Sequence, residues 1–518
     1  MFFKTARALF LALLGILPAA PATADWPQWR GPARNGIAAA EARLPARLEE
    51  GQSLREVWRV EGIPSDRYGG HGSVAVAGGS AYLSIVWHRD EPTATRRIDG
   101  EVLATLGHRN LAALPAEVVQ EMEEERRKLG RRLRGKALDE WARKWVAERL
   151  DEKTRLNLGD WIVARFRQGS AAIPLPVYDQ LKKVSEREFA NHAELVEWLD
   201  GQDFEPAVRE QILQAVPNTK KVARDVVLCL DADTGAKRWE FEAPGVPAGR
   251  NASSTPTWHE GRLYAVLSRH LYCLHAADGK ELWRAELSGK AGPASSPLVH
   301  RGQVIVQQNK LTAFDAATGE PGWECAAARG FNASPTAWEG FVICNSRKEL
   351  LMVDATTGKV VSRGPGGGDS TPVVADNHVV VAGRGDEDNL SAFTLSPQGL
   401  RPLWGHTFTA RRYASSPIIW KDHVYHLGSD RHLCIHLETG KIRWERSAQS
   451  SISSPVIAAG RLLVYEHRGG WIVMVAADPS GYERLGRTRI GALHCASPAL
   501  VQDRLYVRTP DAVVCYRF

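Results

Sequence analysis

A strand, a polar turn closed by glycine and a second strand carrying tryptophan recur through most of the chain, and this period restricts the fold more than any other feature. The phrase LYCLHAADGKELWRAEL at 271–287 has counterparts in VVLCLDADTGAKRWEFE from Val226, KLTAFDAATGEPGWECA from Lys310, ELLMVDATTGKVVSRG from Glu349 and HLCIHLETGKIRWERS from His432. The turn glycines Gly235, Gly279, Gly319, Gly358, Gly399, Gly440 and Gly481 are 44, 40, 39, 41, 41 and 41 residues apart. A period near 40 with two to four short strands per unit predicts a β-propeller. Seven repeats open with a small-Ser/Thr-Pro phrase ending at Pro256, Pro297, Pro335, Pro372, Pro417, Pro455 and Pro498, and HGSVAVAGG from His71 is an eighth opening without proline. Proline at a strand's first residue costs no ladder hydrogen bond, so these phrases mark innermost strands.

Eight openings face seven strand-turn-glycine units, and the chain ends account for the difference. The C-terminal segment CASPALVQDRLYVRTPDAVVCYRF supplies three strands, while LREVWRV at 54–60 reads as a lone outermost strand. Pairing the two leaves no major open edge. The sequence therefore predicts an all-β, eight-bladed β-propeller whose last blade is closed by an N-terminal strand. Trp58, Trp239, Trp283, Trp323 and Trp444, with Gly235, Gly279, Gly319, Gly358 and Gly440, are assigned to structure, the indoles as wedges between neighbouring sheets.

Residues 1–24 read as a secretory signal: Lys4 and Arg7, the apolar run from Ala8, and Ala22-Thr23-Ala24 as a cleavage site. About ten apolar residues is half of what a spanning helix needs, so no membrane-spanning segment is expected in the mature chain. No cysteine precedes Cys229, which argues against a lipid anchor. The protein is expected to be exported, to the periplasm or beyond, with residues 25–53 an N-terminal extension. The net charge of +6 falls to +4 when Lys4 and Arg7 leave with the signal. Cys229, Cys273 and Cys434 each lie six residues before a turn glycine, and Cys515 takes the comparable place in the last strand. They read as small buried apolar residues rather than as a disulfide framework.

After the closing strand and the start of the first blade at 54–88, the repeat resumes only at Val226, continuing to 518. The interval 89–225 holds charged segments with helical spacing, Trp141 with Trp145 and Leu195 with Leu199, broken at Pro115, Pro174 and Pro176. It is an α-helical insertion in the first blade, expected to stand on the face opposite the strand-turn-glycine hairpins as a cap. Its run Glu121 to Glu125 beside Arg126, Arg127 and Lys128 reads as a solvated, self-paired helix face.

Loops on that same face carry the candidate ligand-binding residues Arg250, Asn251, Arg269, His270, Lys310, Arg347, Arg384, Arg411, Arg412, Arg431, His432, His467 and His494. Basic side chains converging on a channel mouth favour an anionic ligand: a carboxylated or sulfated glycan, a quinone carboxylate or an acidic peptide. The loop GRGDEDN at 383–389 offers Asp386, Glu387, Asp388 and Asn389 as oxygen ligands without EF-hand spacing, and reads as a solvated turn. His270, His432 and His467 lack metal-ligand spacing, so no metal site is expected.

Ala313-Phe314-Asp315-Ala316-Ala317-Thr318-Gly319 followed by Trp323 resembles the docking motif of quinoprotein dehydrogenases, and its echoes cover 226–518 and the N-terminal strand. The opening DWPQWRGPARNGI at 25–37 is similar to the start of exported PQQ-like propeller repeat proteins. The same repeat occurs in non-enzymatic propellers such as the BamB subunit of outer-membrane assembly. The resemblance is specific for fold and weak for function. Quinone enzymes of this fold carry an adjacent Cys-Cys disulfide, a calcium ion, an aspartate base and often a Cys-x-x-Cys-His haem site. This chain has neither adjacent cysteines nor that haem motif, and no segment matches the family's base motif. The sequence thus favours a non-catalytic scaffold without a cofactor, binding an envelope protein or an anionic glycan and no nucleic acid. A dehydrogenase using PQQ and calcium, and an outer-membrane assembly factor, are the alternatives.

Overall fold

The computed structural model describes residues 25–518 except 53, 130–132, 250–251, 290–291, 293, 331, 410–414 and 449–452. Strands dominate, and among the described residues they form eight four-stranded antiparallel sheets. The first sheet is built from Ala75–Ala77, Ser80–Pro92, Thr219–Asp231 and Lys237–Gly245. The second to seventh sheets each take four strands in sequence order. The eighth combines Ala499–Val501, Arg504–Arg508 and Ala512–Arg517 with the N-terminal strand Arg55–Glu61, which pairs antiparallel to the C-terminal strand, Trp58 opposite Cys515.

The two middle strands of the sheets are the most buried, as in RLYAV and HLYCLH, the short inner strands begin buried and several end half-buried, and outer strands alternate exposed with more buried residues, as in REVWRVE and ELWRAE. Middle strands are covered by the sheets on either side, whereas the outer edge meets water. The four repeat cysteines are fully buried and carry no disulfide.

Neighbouring sheets are joined by the repeat's own motif. The indole N–H of Trp58, Trp239, Trp283, Trp323, Trp404 and Trp444 donates to Ala232, Ala276, Ala316, Ala355, Leu437 and Asp478 in the hairpin of the following sheet, at 2.6 to 3.3 Å. The ring then lies on the turn glycine. A Cβ placed on Gly235, Gly279, Gly319, Gly358 or Gly440 would come within 2.5 to 2.8 Å of that ring, and each glycine has φ between +67° and +77°. Glycine is required there twice over, for the backbone angle and for the space. Two sheets depart from the rule. Ser362 replaces the indole in the fourth sheet and meets Gly399, its Oγ accepting from Leu400 N at 3.1 Å. Gly486 replaces it in the seventh, where the backbone of Leu48 lies instead.

Between Pro92 and Thr219 the described residues form seven α-helices, from Gly100–Thr105 to Pro206–Ala215. The flanking strands extend further than the sequence suggested, one reaching Pro92 and the other starting at Thr219. Trp141 and Trp145 both meet Phe166 edge-on, at 5.0 and 5.1 Å, in one core, and Leu195 and Leu199 are buried in a second. The expected solvated acidic face needs correcting. Glu123 is mostly buried and receives Arg126 at 2.6 Å and Arg165 at 2.5 Å, two guanidiniums that are themselves buried. They also donate to the carbonyls of Gly169 and Ile173, closing a helix terminus that apolar packing would leave unsatisfied.

Replacing Trp323 by alanine should destabilise the protein by about 3 to 5 kcal/mol, the range for a buried aromatic truncation. Gly319→Ala should destabilise it as well, by driving Cβ into the Trp283 ring. Equilibrium urea unfolding followed by circular dichroism checks both.

Candidate functional site

The inner strands enclose a channel, and two sets of hydrogen bonds organise it. One is a closed ring. Ser73 N donates to Thr255 Oγ1, Thr255 N to Ser296 Oγ, Ser296 N to Ser334 Oγ and Ser334 N to Thr371 Oγ1. Thr371 N then donates to Ser416 Oγ, Ser416 N to Ser454 Oγ, Ser454 N to Ser497 Oγ, and Ser497 N back to Ser73 Oγ. All eight bonds measure 2.9 to 3.2 Å. Each repeat contributes one hydroxyl, from the residue before the strand-opening proline or, in the first sheet, before Val74. The sequence reading noted Ser or Thr before those prolines as part of the opening phrase and did not foresee that their hydroxyls bond from sheet to sheet.

The second set comes from the N-terminal extension. Trp26 exchanges backbone hydrogen bonds with Val76 of the first sheet, and Pro27 accepts from Trp258 of the second. Arg34 donates to the carbonyls of Ser296 and Pro297 in the third sheet, at 3.0 and 2.7 Å. Trp29 Nε1 reaches Thr371 Oγ1 in the fifth at 3.0 Å, Arg30 reaches Pro417 O in the sixth at 2.6 Å, and Gly36 and Ala38 pair with Ile457 in the seventh. A short segment can touch the inner strands of six sheets only from inside the ring. Residues 26–38 therefore fill the channel. They leave it past Gln502, in the first hairpin of the eighth sheet, so the filling enters from the hairpin face. Arg30 and Arg34 are each 2 % exposed, and burial lowers both guanidiniums to about 9, which keeps them charged at neutral pH.

On the opposite face, residues at the inner-strand openings form a polar mouth. Ser253 Oγ lies 3.2 Å from Asn332 Oδ1, Asn332 Nδ2 donates to Asp369 at 3.3 Å, and Arg384 pairs with Asp369. His71 and His494 face each other at 5.9 Å, and His71 also meets Asp66 at 3.3 Å. From the helical insertion, Lys153 pairs with Asp386 of the loop 383–389 in the fifth sheet. The insertion leaves the first sheet, so this contact reaches halfway round the ring.

The predicted basic residues are dispersed rather than joined. Arg269 pairs with Glu286 at 2.6 Å, Lys310 with Glu324 at 2.6 Å and Arg431 with Glu445 at 2.6 Å, each across two strands of its own sheet. Arg384 pairs with Asp369 rather than with the acids of its own loop. His270 lies against Tyr272, and Arg347 takes a backbone bond from its N–H to Arg329 O. His467 is exposed with φ +49°. His432 is fully buried, and burial first, then His426 and Arg446, lowers its pKa to about 3. Burial and Arg431 lower His426 to about 4. Arg250, Asn251, Arg411 and Arg412 lie outside the described residues. Asp231, Asp315 and Asp354 accept hydrogen bonds from their own turns.

For a cofactor, the mouth offers Asp369 and Asn332, bonded to each other with Asp369 also paired to Arg384, while Asp66 is engaged by His71 and Asp386 by Lys153. A calcium site needs six or more oxygens. Among the described residues no three His, Cys, Asp or Glu side chains come together as metal ligands. The described mouth does not supply a calcium shell.

The family PQQ_2, described as outer membrane protein assembly factor BamB, matches residues 223–404 and 308–483, together half of the chain. The chain belongs to this PQQ-like propeller family. No curated protein matches it. Among solved structures, this family member is similar to a europium-containing methanol dehydrogenase, with TM-score 0.53, 10 % identity, and 95 % of this chain and 90 % of that chain covered. The quinohemoprotein alcohol dehydrogenase of Comamonas testosteroni gives TM-score 0.51 and 12 % identity over 95 % of this chain and 80 % of that one. BamB from Moraxella catarrhalis gives 0.46 and 19 %, covering 57 % and 88 %. At these identities the likeness is one of fold, propeller-like and mostly β.

Arg34→Met should expose the loss of two buried carbonyl partners as a destabilisation of about 2 to 6 kcal/mol in urea unfolding, at about 1 to 3 kcal/mol per stranded group. His426 and His432 stay neutral when folded and protonate when unfolded. Their folded pKa values are lowered, so the stability they support is present above about pH 6.5 and is lost as pH falls toward 4. The melting temperature of this propeller should drop between pH 7 and pH 5, and His426→Phe should flatten that slope.

Proposed function

We propose that this protein is an exported, non-catalytic eight-bladed propeller that captures a partner or ligand at one end of its channel, beneath the helical insertion. The observation that carries the reading is the filled channel. With residues 26–38 bonded to six inner strands from the hairpin side, only the opposite mouth is left for a ligand. Pairing of Arg55–Glu61 with the C-terminal strand and the eight-membered hydroxyl ring support an eight-bladed array with an N-terminal closing strand. Contact of Lys153 with Asp386 supports the insertion as a cap over that mouth.

The mouth is suited to recognition rather than to bond-breaking. Asp369 is held by a guanidinium and an amide, a satisfied arrangement in which it is poorly placed to take a proton, and Asp66 and Asp386 are paired with His71 and Lys153. The signal-like first 24 residues support export, and among the described residues no helix is long and apolar enough to cross a membrane.

Titration of the purified mature protein with pyrroloquinoline quinone and calcium, followed by tryptophan fluorescence, should give no saturable change. Dye-linked assays with alcohols and sugars should give no turnover. Saturable binding with turnover would overturn the scaffold reading and make the mouth the site of a quinone-dependent dehydrogenase.

A further inference from the structure

Away from the channel, the outer part of the cleft between the sixth and seventh sheets collects ring-stacked arginines without a close carboxylate of their own. The seventh sheet's outer strand, Arg484–Arg489, reads RLGRTR, with three arginines and no acid. Arg487 and Arg489 flank the Trp471 indole at 4.2 and 4.8 Å from its centroid. From the sixth sheet, Arg446 lies over the Tyr482 ring at 4.8 Å, and Tyr482 meets Trp444 edge-on at 5.5 Å. Glu466, Trp471 and Arg489 are register partners across three adjacent strands, which puts them on one face of the sheet. The Glu466 carboxyl sits in the middle: burial raises its pKa, and His467, Arg484, Arg487 and Arg446 act in the opposite sense.

Elsewhere among the described residues the ring-stacked cations are paired with a carboxylate, as in Arg224 with Glu242 and Arg431 with Glu445. Here, among the described residues, Arg446, Arg468, Arg484 and Arg487 have no carboxylate within 4.0 Å, and Arg489 has only Glu50 at 3.9 Å. Stacking on an aromatic face holds a guanidinium flat and leaves its N–H fork directed outward, the geometry that takes a carboxylate with two parallel hydrogen bonds. The chain supplies a guide to what fits. Its acidic stretch Leu48-Glu49-Glu50 already lies along this strand, Leu48 N bonded to Leu485 O at 2.9 Å and Glu50 near Arg489.

We propose that this cleft, formed by Arg446, Arg487, Arg489, Trp471 and Tyr482, is a docking site for an acidic, Glu- or Asp-rich segment of a partner protein. The site is independent of the channel mouth and of whether the mouth binds a quinone. Complementary charge there speeds encounter and selects against basic partners.

The test is fluorescence anisotropy of a fluorescein-labelled octaglutamate peptide with the full mature protein. Binding should be saturable, should weaken as salt rises, and should lose about tenfold or more in affinity in Arg446→Gln/Arg487→Gln, since each charge-assisted bond contributes roughly a factor of ten. Arg446→Lys/Arg487→Lys, which keeps charge and loses the fork, should fall between. Arg401→Gln, on the exposed outer strand of the fifth sheet, should bind as wild type. These side chains are at the surface, and an unchanged melting temperature certifies each variant. Wild-type affinity in the glutamine double variant would overturn the proposal. So would tighter binding of a heparin oligosaccharide lost in the same variant, which would assign the cleft to a sulfated glycan.

Discussion

A sheet that points its inner edge at a common axis has no further strand to bond there, and every backbone group on that edge still needs a partner. The protein meets this requirement in two ways. Backbone N–H groups at the eight strand openings are taken by the hydroxyl of the next repeat, which fixes each sheet to its neighbour and closes the circle at Ser497 and Ser73. Carbonyls at Ser296, Pro297 and Pro417 are taken by two guanidiniums from a segment that sequence order places more than 250 residues away. The outer Trp-on-glycine contacts hold the periphery, and the axis is held by this accounting of donors and acceptors.

Filling the channel has a functional consequence. A propeller open at both ends presents two rims; this one presents one mouth and one hairpin face. The helical insertion departs from the first sheet on the side of the open mouth and reaches the fifth. Insertion and filling are thus on opposite faces, which is why the proposed reading places a ligand at the mouth and not along the channel as a whole. Arg30 and Arg34 also change what the basic residues mean, because these buried cations in the channel serve backbone carbonyls and are not free for an anion.

How much of this was legible depends on the range over which each signal acts. Turn glycines and docking tryptophans announce themselves because strand, turn and indole lie within about a dozen residues. Trp404 escaped because it follows Gly399 by five residues instead of four, and Ser362 because a serine in an indole's place looks like a lapse in the repeat. The hydroxyl ring was written in eight Ser or Thr positions, yet such residues before proline also suit ordinary turns. The filling of the channel could not be read locally, since Arg30 and Pro417 are 387 residues apart. Loop cations at Arg269, Lys310 and Arg431 looked like a convergent rim because charge was read along the chain, whereas each is answered across its own sheet by a glutamate. Glu123 misled for the same reason: its position in an acidic run says nothing of the second helix that brings Arg165 to it.

In the seventh sheet the repeat's constraint is relaxed, and the outer strand takes on a different character. Everywhere else that strand must either supply an indole for the next hairpin or, in the fourth sheet, a small hydroxyl side chain. In the seventh, Gly486 yields that place to the backbone of Leu48, whose carbonyl would lie 1.9 Å from any Cβ there. The N-terminal extension, having filled the channel, thus also replaces a docking tryptophan on its way to the closing strand. The strand carries arginine at 484, 487 and 489, and Trp471, one strand further in, turns its ring to two of them. The sixth and seventh sheets are still joined by Trp444, whose indole donates to Asp478 O at 2.8 Å, so the arginines beside it carry no docking duty and are available to hold something else.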